Sequence, residues 1–259
     1  MLTNYHTHTY RCHHASQVPD EEYVKAAIEA GYSILGFSDH TPWPYEGEKP
    51  DRRERMDMSE LQEYLDSVAA LKEKYAGKIE IKAGLECEYF PKFLGWLSEV
   101  KPKFDYLILG NHFGLSDEHG EPYYGSEKGK DLLEEYTAYT IAGMGTGLFD
   151  YLAHPELPFA NYPVFDEKAE ACARMICLEA KALDMPIEYN LYGTLKQDRG
   201  LQKGLGYPAK EFWQVAAEYG CRTIVGVDAH SPEFIADTAR MSRAKEFLLS
   251  LGLHVIDEL

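Results

Sequence analysis

The chain has 259 residues, 45% of them hydrophobic, and a formal charge of −17. That length suits one large core, since α/β barrels of about this size form single domains, and the charge opposes binding to a nucleic-acid backbone, which needs a basic footprint. No apolar run is long enough to cross a bilayer, and no basic region followed by an apolar stretch opens the chain, so a cytoplasmic protein without a signal peptide or membrane partner is expected.

The first strand lies within Asn4-Tyr5-His6-Thr7-His8, where alternation puts both imidazoles on one face, able to grip one ion. Pro19-Asp20 then opens a helix that runs through Ile28 and is stopped by Gly31, with acidic residues in its first turn as the helix dipole favours. An apolar strand ending Gly36-Phe37-Ser38 leads into Asp39-His40, and the strand from Lys78 to Leu85 leads into Glu86. Further strands deliver His112 after Tyr106 to Gly110, His154 after Phe149 to Ala153, and Asp228 and His230 after Thr223 to Val227. Helical patterns at 59–75, 91–100, 127–142, 166–183, 208–219 and 238–251 separate these strands. Ile187 to Asn190 and His254-Val255-Ile256 complete the strand set.

Alternating strands and helices imply a parallel sheet, and this many in one domain spanning 1–259 imply a closed or nearly closed α/β barrel. Barrel enzymes take their active-site residues from the C-terminal ends of the strands, the positions that carry ligand-type residues here. An open doubly wound sheet is the alternative, but it concentrates its chemistry at one switch point. Two long connections, Thr41 to Met58 and Phe113 to Ser126, leave the ligand-bearing end and are expected to cover a pocket there. Imidazole and carboxylate bind zinc, iron and manganese, so a multinuclear metallohydrolase is expected. The five cysteines, Cys12, Cys87, Cys172, Cys177 and Cys221, have no C-x-x-C spacing and read as reduced, packed thiols.

Taken together, His6-Thr7-His8, His14, Asp39-His40, Glu86, His112, His154 and Asp228-Ala229-His230 resemble the polymerase-and-histidinol-phosphatase (PHP) superfamily over nearly the whole chain. Cys12-His13-His14, Gly84 to Tyr89, Gly206-Tyr207-Pro208 and Asp228 to Pro232 are most similar to its histidinol-phosphatase branch. The resemblance implies a distorted (β/α)7 TIM-like barrel holding three divalent transition-metal ions, zinc, iron or manganese. It also implies a small phosphorylated substrate, L-histidinol phosphate in that branch, attacked by a metal-bound hydroxide. By the family pattern, His6, His8, Glu86 and Asp228 hold the first ion, Glu86 bridges to a second on His112 and His154, and His14, His40 and His230 hold the third. His13, His119 and His254 are left outside the site.

Three further residues complete the expectation. Asp39, beside His40, either gives the leaving alkoxide its proton or orients a metal ligand. Arg199, after the strand Ile187 to Asn190, is the candidate phosphate clamp, because a planar guanidinium fits two phosphoryl oxygens; its bland alternative is an exposed loop charge. Glu88, two residues beyond Glu86, either binds a substrate ammonium group or sits on the outer rim. One departure from the family stands out: the stretch after His154, Pro155 to Asn161, lacks the basic residue usual there, which leaves Arg11, Arg52, Arg53 or Arg55 to compensate. The alternatives are a PHP phosphatase for another small phosphomonoester, a carbon–nitrogen amidohydrolase, or a non-catalytic PHP module.

Overall fold

The computed structural model describes residues 1–46 and 54–259. Among the described residues eight strands run in chain order: β1 (Thr3–Asn4), β2 (Ile34–His40), β3 (Glu80–Cys87), β4 (Tyr106–Leu109), β5 (Tyr151–Leu152), β6 (Ile187–Asn190), β7 (Arg222–Gly226) and β8 (His254–Val255). They form one sheet in the order β1 to β8, every neighbouring pair parallel. The sheet curls, and beyond β1 and β7 a parallel bridge joins Thr7 to Ala229. There His8 N donates to Ala229 O at 2.9 Å and Ala229 N to His6 O at 3.0 Å. The arrangement is a curled, TIM-like barrel distorted at this seam, and the strand expected at His254-Val255-Ile256 is present as the two-residue β8, beyond the seven strands of the family barrel.

The helices between the strands are α1 (Asp20–Ala30), α2 (Leu61–Lys74), α3 (Leu94–Val100), α4 (Leu133–Met144), α5 (Glu167–Ala182), α6 (Leu191–Asp198), α7 (Lys210–Tyr219), α8 (Pro232–Ile235) and α9 (Thr238–Ser250). The longer helices bury apolar stripes that form the main core with the outer face of the sheet, where Trp213, Phe37, Leu85 and Tyr64 are fully buried. Sequence periodicity missed α6. It is short, and the Asn190 side chain that accepts from Gly193 N at 2.8 Å sets its start.

The interior of the barrel is small and layered. Tyr5, Ile34, Tyr106, Ile108, Tyr151, Ala153 and Ile224 plug it. Because side chains alternate faces, the inward register that contributes Ile34, Ile108 and Ile224 to this plug continues toward the strand ends as His40, His112 and Asp228. The same alternation therefore takes β2, β4 and β7 from an apolar floor to a polar mouth.

Candidate metal centre

At the mouth, Glu86 stands at the focus, fully buried at the end of β3. Its Oε1 lies 2.8 Å from His154 Nε2 and 3.4 Å from His112 Nε2, while its Oε2 lies 3.0 Å from His40 Nδ1, 3.3 Å from His6 Nε2 and 3.5 Å from His8 Nε2. The carboxylate thus divides the imidazoles into two sets, one on each oxygen. Asp228 Oδ1 faces His8 Nε2 at 3.0 Å and His6 Nε2 at 3.6 Å. His14 and His230 meet at their Nε2 atoms, 2.8 Å apart, beside His8 and His40. His13, His119 and His254 stand exposed.

Local backbone geometry places these side chains. Gly110 follows β4 where a Cβ would fall 2.2 Å from Glu86 Oε1, and Gly226 ends β7 where a Cβ would fall 2.1 Å from Glu188 Oε2. Only glycine leaves room there for the two carboxylates. His154 follows the inward-facing Ala153, so a continuing strand would aim it outward; its φ of 30° turns it back. Asp228 has a φ of 54°. Left-handed backbone at two non-glycine residues costs about 1 kcal/mol or more each and persists where the surroundings impose it.

The donor set fits divalent transition metals. His6 Nε2, His8 Nε2 and Glu86 Oε2, which face one another in the cluster, are buried polar atoms without a hydrogen-bond partner, a combination that folded proteins avoid unless a ligand satisfies it. Ligands at 2.0–2.1 Å in tetrahedral array are about 3.3 Å apart, and the contacts of His6 and His8 with Glu86 and Asp228 span 3.0–3.6 Å. His6, His8 and Asp228 form one group that could hold an ion, His8, His40 and His230 another. Burial alone would lower His6 and His8, but surrounding carboxylates outweigh it, holding His6 well above the ordinary range and His8 at about 9. A cation entering this group displaces protons, so its binding weakens toward acid pH. Cys12 also lies within reach, near His14 and His230, but burial pushes its thiol up and favours the packed, protonated form over the thiolate a metal needs.

Four of the outward-facing nitrogens are held. His6 Nδ1 is 2.8 Å from Glu188 Oε2 and His112 Nδ1 3.0 Å from Glu88 Oε1, while Asp39 Oδ1 stands 3.6 Å behind His8 Nδ1, beyond hydrogen-bond length. Cys12 O and Asp228 O take His14 Nδ1 and His230 Nδ1 at 2.8 and 3.0 Å. Such partners fix the tautomer and aim the other nitrogen inward.

The three residues expected beside the ligands have different surroundings. Asp39 precedes His40 in a strand and so points to the opposite face, where Thr9 Oγ1 donates to it and Thr9 N donates at 3.3 Å. It is buried, is not among the residues lining the cavity and faces His8 from behind, which favours orientation over proton donation. Arg199 sits exposed at the end of α6 and is likewise absent from the lining. Glu88 does line the cavity, but its carboxylate is already engaged. Arg55 Nη1 and Nη2 donate to its two oxygens at 3.1 Å each and Trp43 Nε1 donates at 2.9 Å. Arg55 and His112 hold Glu88 ionised despite burial, and Arg55 Nη2 also reaches Asp117 Oδ2 in the second long connection at 2.7 Å. The expected compensating bases therefore divide: Arg55 lines the cavity paired to Glu88, Arg11 is buried between Asp20 and Glu63, and Arg52 and Arg53 lie outside the described residues.

What the sequence did not signal is Lys196. Its Nζ donates to Tyr207 Oη at 3.0 Å and lies 4.5 Å over the Tyr192 ring, and it makes no ion pair with any described residue. Burial would lower its pKa, but Tyr123, Asp228 and Tyr192 outweigh that and hold it protonated. His14, His40, Glu86, His112, His154, Asp228 and His230 line a cavity of about 280 Å³ together with Lys196, Tyr192, Tyr207, Tyr123 and Phe113. Imidazoles and carboxylates thus share this cavity with an ammonium that sits among aromatic rings and has no carboxylate partner among the described residues.

Comparison with known proteins agrees with this architecture. The PHP domain family matches residues 4–191. A Deinococcus radiodurans protein named as a probable histidinol-phosphatase is 30% identical over 239 residues, covering 89% of this chain and 87% of its own. A Listeria monocytogenes crystal structure provisionally described as a histidinol phosphatase superposes with a TM-score of 0.75 at 22% identity, covering 92% of this chain and 99% of its own. The histidinol phosphate phosphatase of Lactococcus lactis, solved with zinc, L-histidinol and phosphate, superposes with a TM-score of 0.72 at 17% identity, covering 98% of this chain and 95% of its own.

Proposed function

The chain belongs to the PHP domain family, and from that premise we propose that it is a metal-dependent phosphomonoesterase whose substrate is L-histidinol phosphate, released as L-histidinol and phosphate. The observation that carries the reading is the division of Glu86 between two sets of imidazoles in a cavity also lined by Lys196, whose ammonium has no ion-pair partner among the described residues. In this reading residues 1–259 act as one cytoplasmic domain. Its relatives are named histidinol-phosphatases, and the Lactococcus lactis structure pairs zinc with both reaction products.

Residues His6, His8, Glu86 and Asp228 would hold one ion, Glu86, His112 and His154 a second, and His14, His40 and His230 a third. Zinc, iron or manganese bound there supplies Lewis acidity that polarises phosphoryl oxygens and brings the pKa of water toward about 7. The chain's own residues do the rest. Glu188 and Glu88 hold the imidazoles of His6 and His112 in one tautomer, and Asp39 stands behind His8, so these lone pairs converge without reorganisation. Lys196 takes the role expected of Arg199: its ammonium is already desolvated and directed into the cavity, so a phosphoryl group that binds there gains a charge-assisted contact.

A second reading, a PHP phosphatase for a different small phosphomonoester, draws on the engagement of Glu88 by Arg55, Trp43 and His112, which withdraws the acid expected to meet an ammonium group. A panel of histidinol phosphate, p-nitrophenyl phosphate and simple amides, run beside elemental analysis of the same sample, decides. The proposal expects metal-dependent turnover with a strong preference for histidinol phosphate. Turnover of phosphate esters without that preference selects the second reading, and no phosphatase activity in metal-loaded protein refutes both.

A further inference from the structure

Asn190 ends β6 and is buried, with no role in the reading above. Its Nδ2 donates to Glu188 Oε1 at 2.8 Å and to Asp228 Oδ2 at 3.1 Å, while its Oδ1 accepts from Gly193 N at 2.8 Å. The amide is thus read in both senses, as donor between two carboxylates and as acceptor at a helix start. The reverse orientation would set its oxygen against two carboxylates and its NH2 against an N–H. Asparagine alone among side chains of this size offers both groups on one short stem.

Each contact leads onward. Glu188 holds His6 through its other oxygen, and Asp228 faces His6 and His8. Gly193 lies in the first turn of α6, the helix that carries Tyr192 and Lys196 to the cavity, and a Cβ on Gly193 would fall 2.3 Å from Tyr207 O, so this turn is seated directly against Tyr207. Gln202 Nε2 ties the same two elements, donating to Gly193 O at 2.9 Å and Tyr207 O at 3.1 Å. We propose that Asn190 is a positioning residue that joins the two walls of the site: its amide nitrogen registers the carboxylates behind and beside His6, and its amide oxygen registers the helix that presents Lys196.

This inference rests on the reading of the cavity as a metal and phosphate site, but its test needs no turnover of histidinol phosphate. Two variants separate the arms. Asn190→Asp keeps the acceptor for Gly193 N and replaces the donor by a carboxylate facing Glu188 and Asp228; Asn190→Ala removes both. The readouts are the rate of zinc release from zinc-loaded protein to a chromophoric chelator and the Kd of inorganic phosphate measured by calorimetry at saturating zinc. Asn190→Asp is expected to release zinc roughly ten- to a hundredfold faster, the range seen when the groups supporting metal ligands are removed, with phosphate affinity within about threefold of the parent. Asn190→Ala is expected to lose zinc comparably and to bind phosphate roughly five- to thirtyfold more weakly, as an uncapped helix start shifts Lys196. If the two variants lose both properties in equal proportion, or retain both, the proposal is overturned. Should Asn190→Asp not fold, Glu188→Gln tests the metal arm alone: faster zinc release supports it and an unchanged rate overturns it.

Discussion

Replacing Lys196 by methionine preserves most of the side-chain volume between Tyr192 and Tyr207 while deleting the charge. The ammonium lies 3.0 Å from Tyr207 Oη, 4.5 Å from the Tyr192 ring centre and in no ion pair with a described residue, so a phosphoryl oxygen is the partner it lacks. A pair of unit charges 4 Å apart is worth about 4 kcal/mol at an effective dielectric of 20. Mutational values for hydrogen bonds to charged groups are smaller, about 1.5–3 kcal/mol, because they include the water each partner gives up. The smaller range is the better guide, and it converts to a fall in kcat/KM of roughly ten- to a hundredfold. Arg199→Ala serves as the control, since an exposed charge outside the cavity lining should change rates by no more than about twofold. Steady-state kinetics on histidinol phosphate at saturating zinc, with elemental analysis of each variant, make the measurement. A tenfold loss in Arg199→Ala beside a near-parental Lys196→Met would refute the assignment and restore Arg199 as the phosphate clamp.

Native protein should carry more than two equivalents of transition metal, and Glu86→Ala should lose more than one, because both of its oxygens face imidazoles; at most one ion in the native protein by elemental analysis would contradict three sites. Glu88→Gln weakens the pair with Arg55 and the support of His112, so kcat/KM should fall by a similar factor for histidinol phosphate and for p-nitrophenyl phosphate. A loss confined to the amine-bearing ester would instead show that Glu88 meets the ammonium. Glu156 is buried, and that burial raises its carboxyl to about 8, with Trp213 Nε1 donating to it at 2.7 Å. A folded pKa above the unfolded value of about 4.3 contributes stability that is complete at acid pH and is lost as pH rises to about 8. Glu156→Gln keeps the acceptor and abolishes that titration, so its Tm relative to the parent should climb between pH 5 and 8.5; a constant difference across that range would count against it.

The metal-side half of the site was legible because its determinants are local. Alternation in a strand decides which residues share a face, and alternation of strands with helices decides that the strand ends meet, so His6, His8, His40, Glu86, His112, Asp228 and His230 could be gathered by position, whereas His14 follows no strand and came only from the family resemblance, and His154 turns inward through its left-handed backbone. Alternation could also have set Asp39 apart from its neighbour His40, since adjacent strand residues face opposite sides. The rest depended on distances along the chain that no local pattern encodes. Glu88 was placed on the correct face, but its fate was decided by Arg55, which comes from a loop more than thirty residues earlier. The substrate-side cation was sought as an arginine in a loop. An eight-residue helix stands there instead, and the turn of that helix directs Lys196 inward and leaves Arg199 exposed at its end. That helix starts where it does because Asn190 spans from Gly193 to two carboxylates, one of them Asp228 on the neighbouring strand connection. Periodicity identifies the face a residue occupies; the partner that satisfies or consumes its charge is chosen only when remote segments pack.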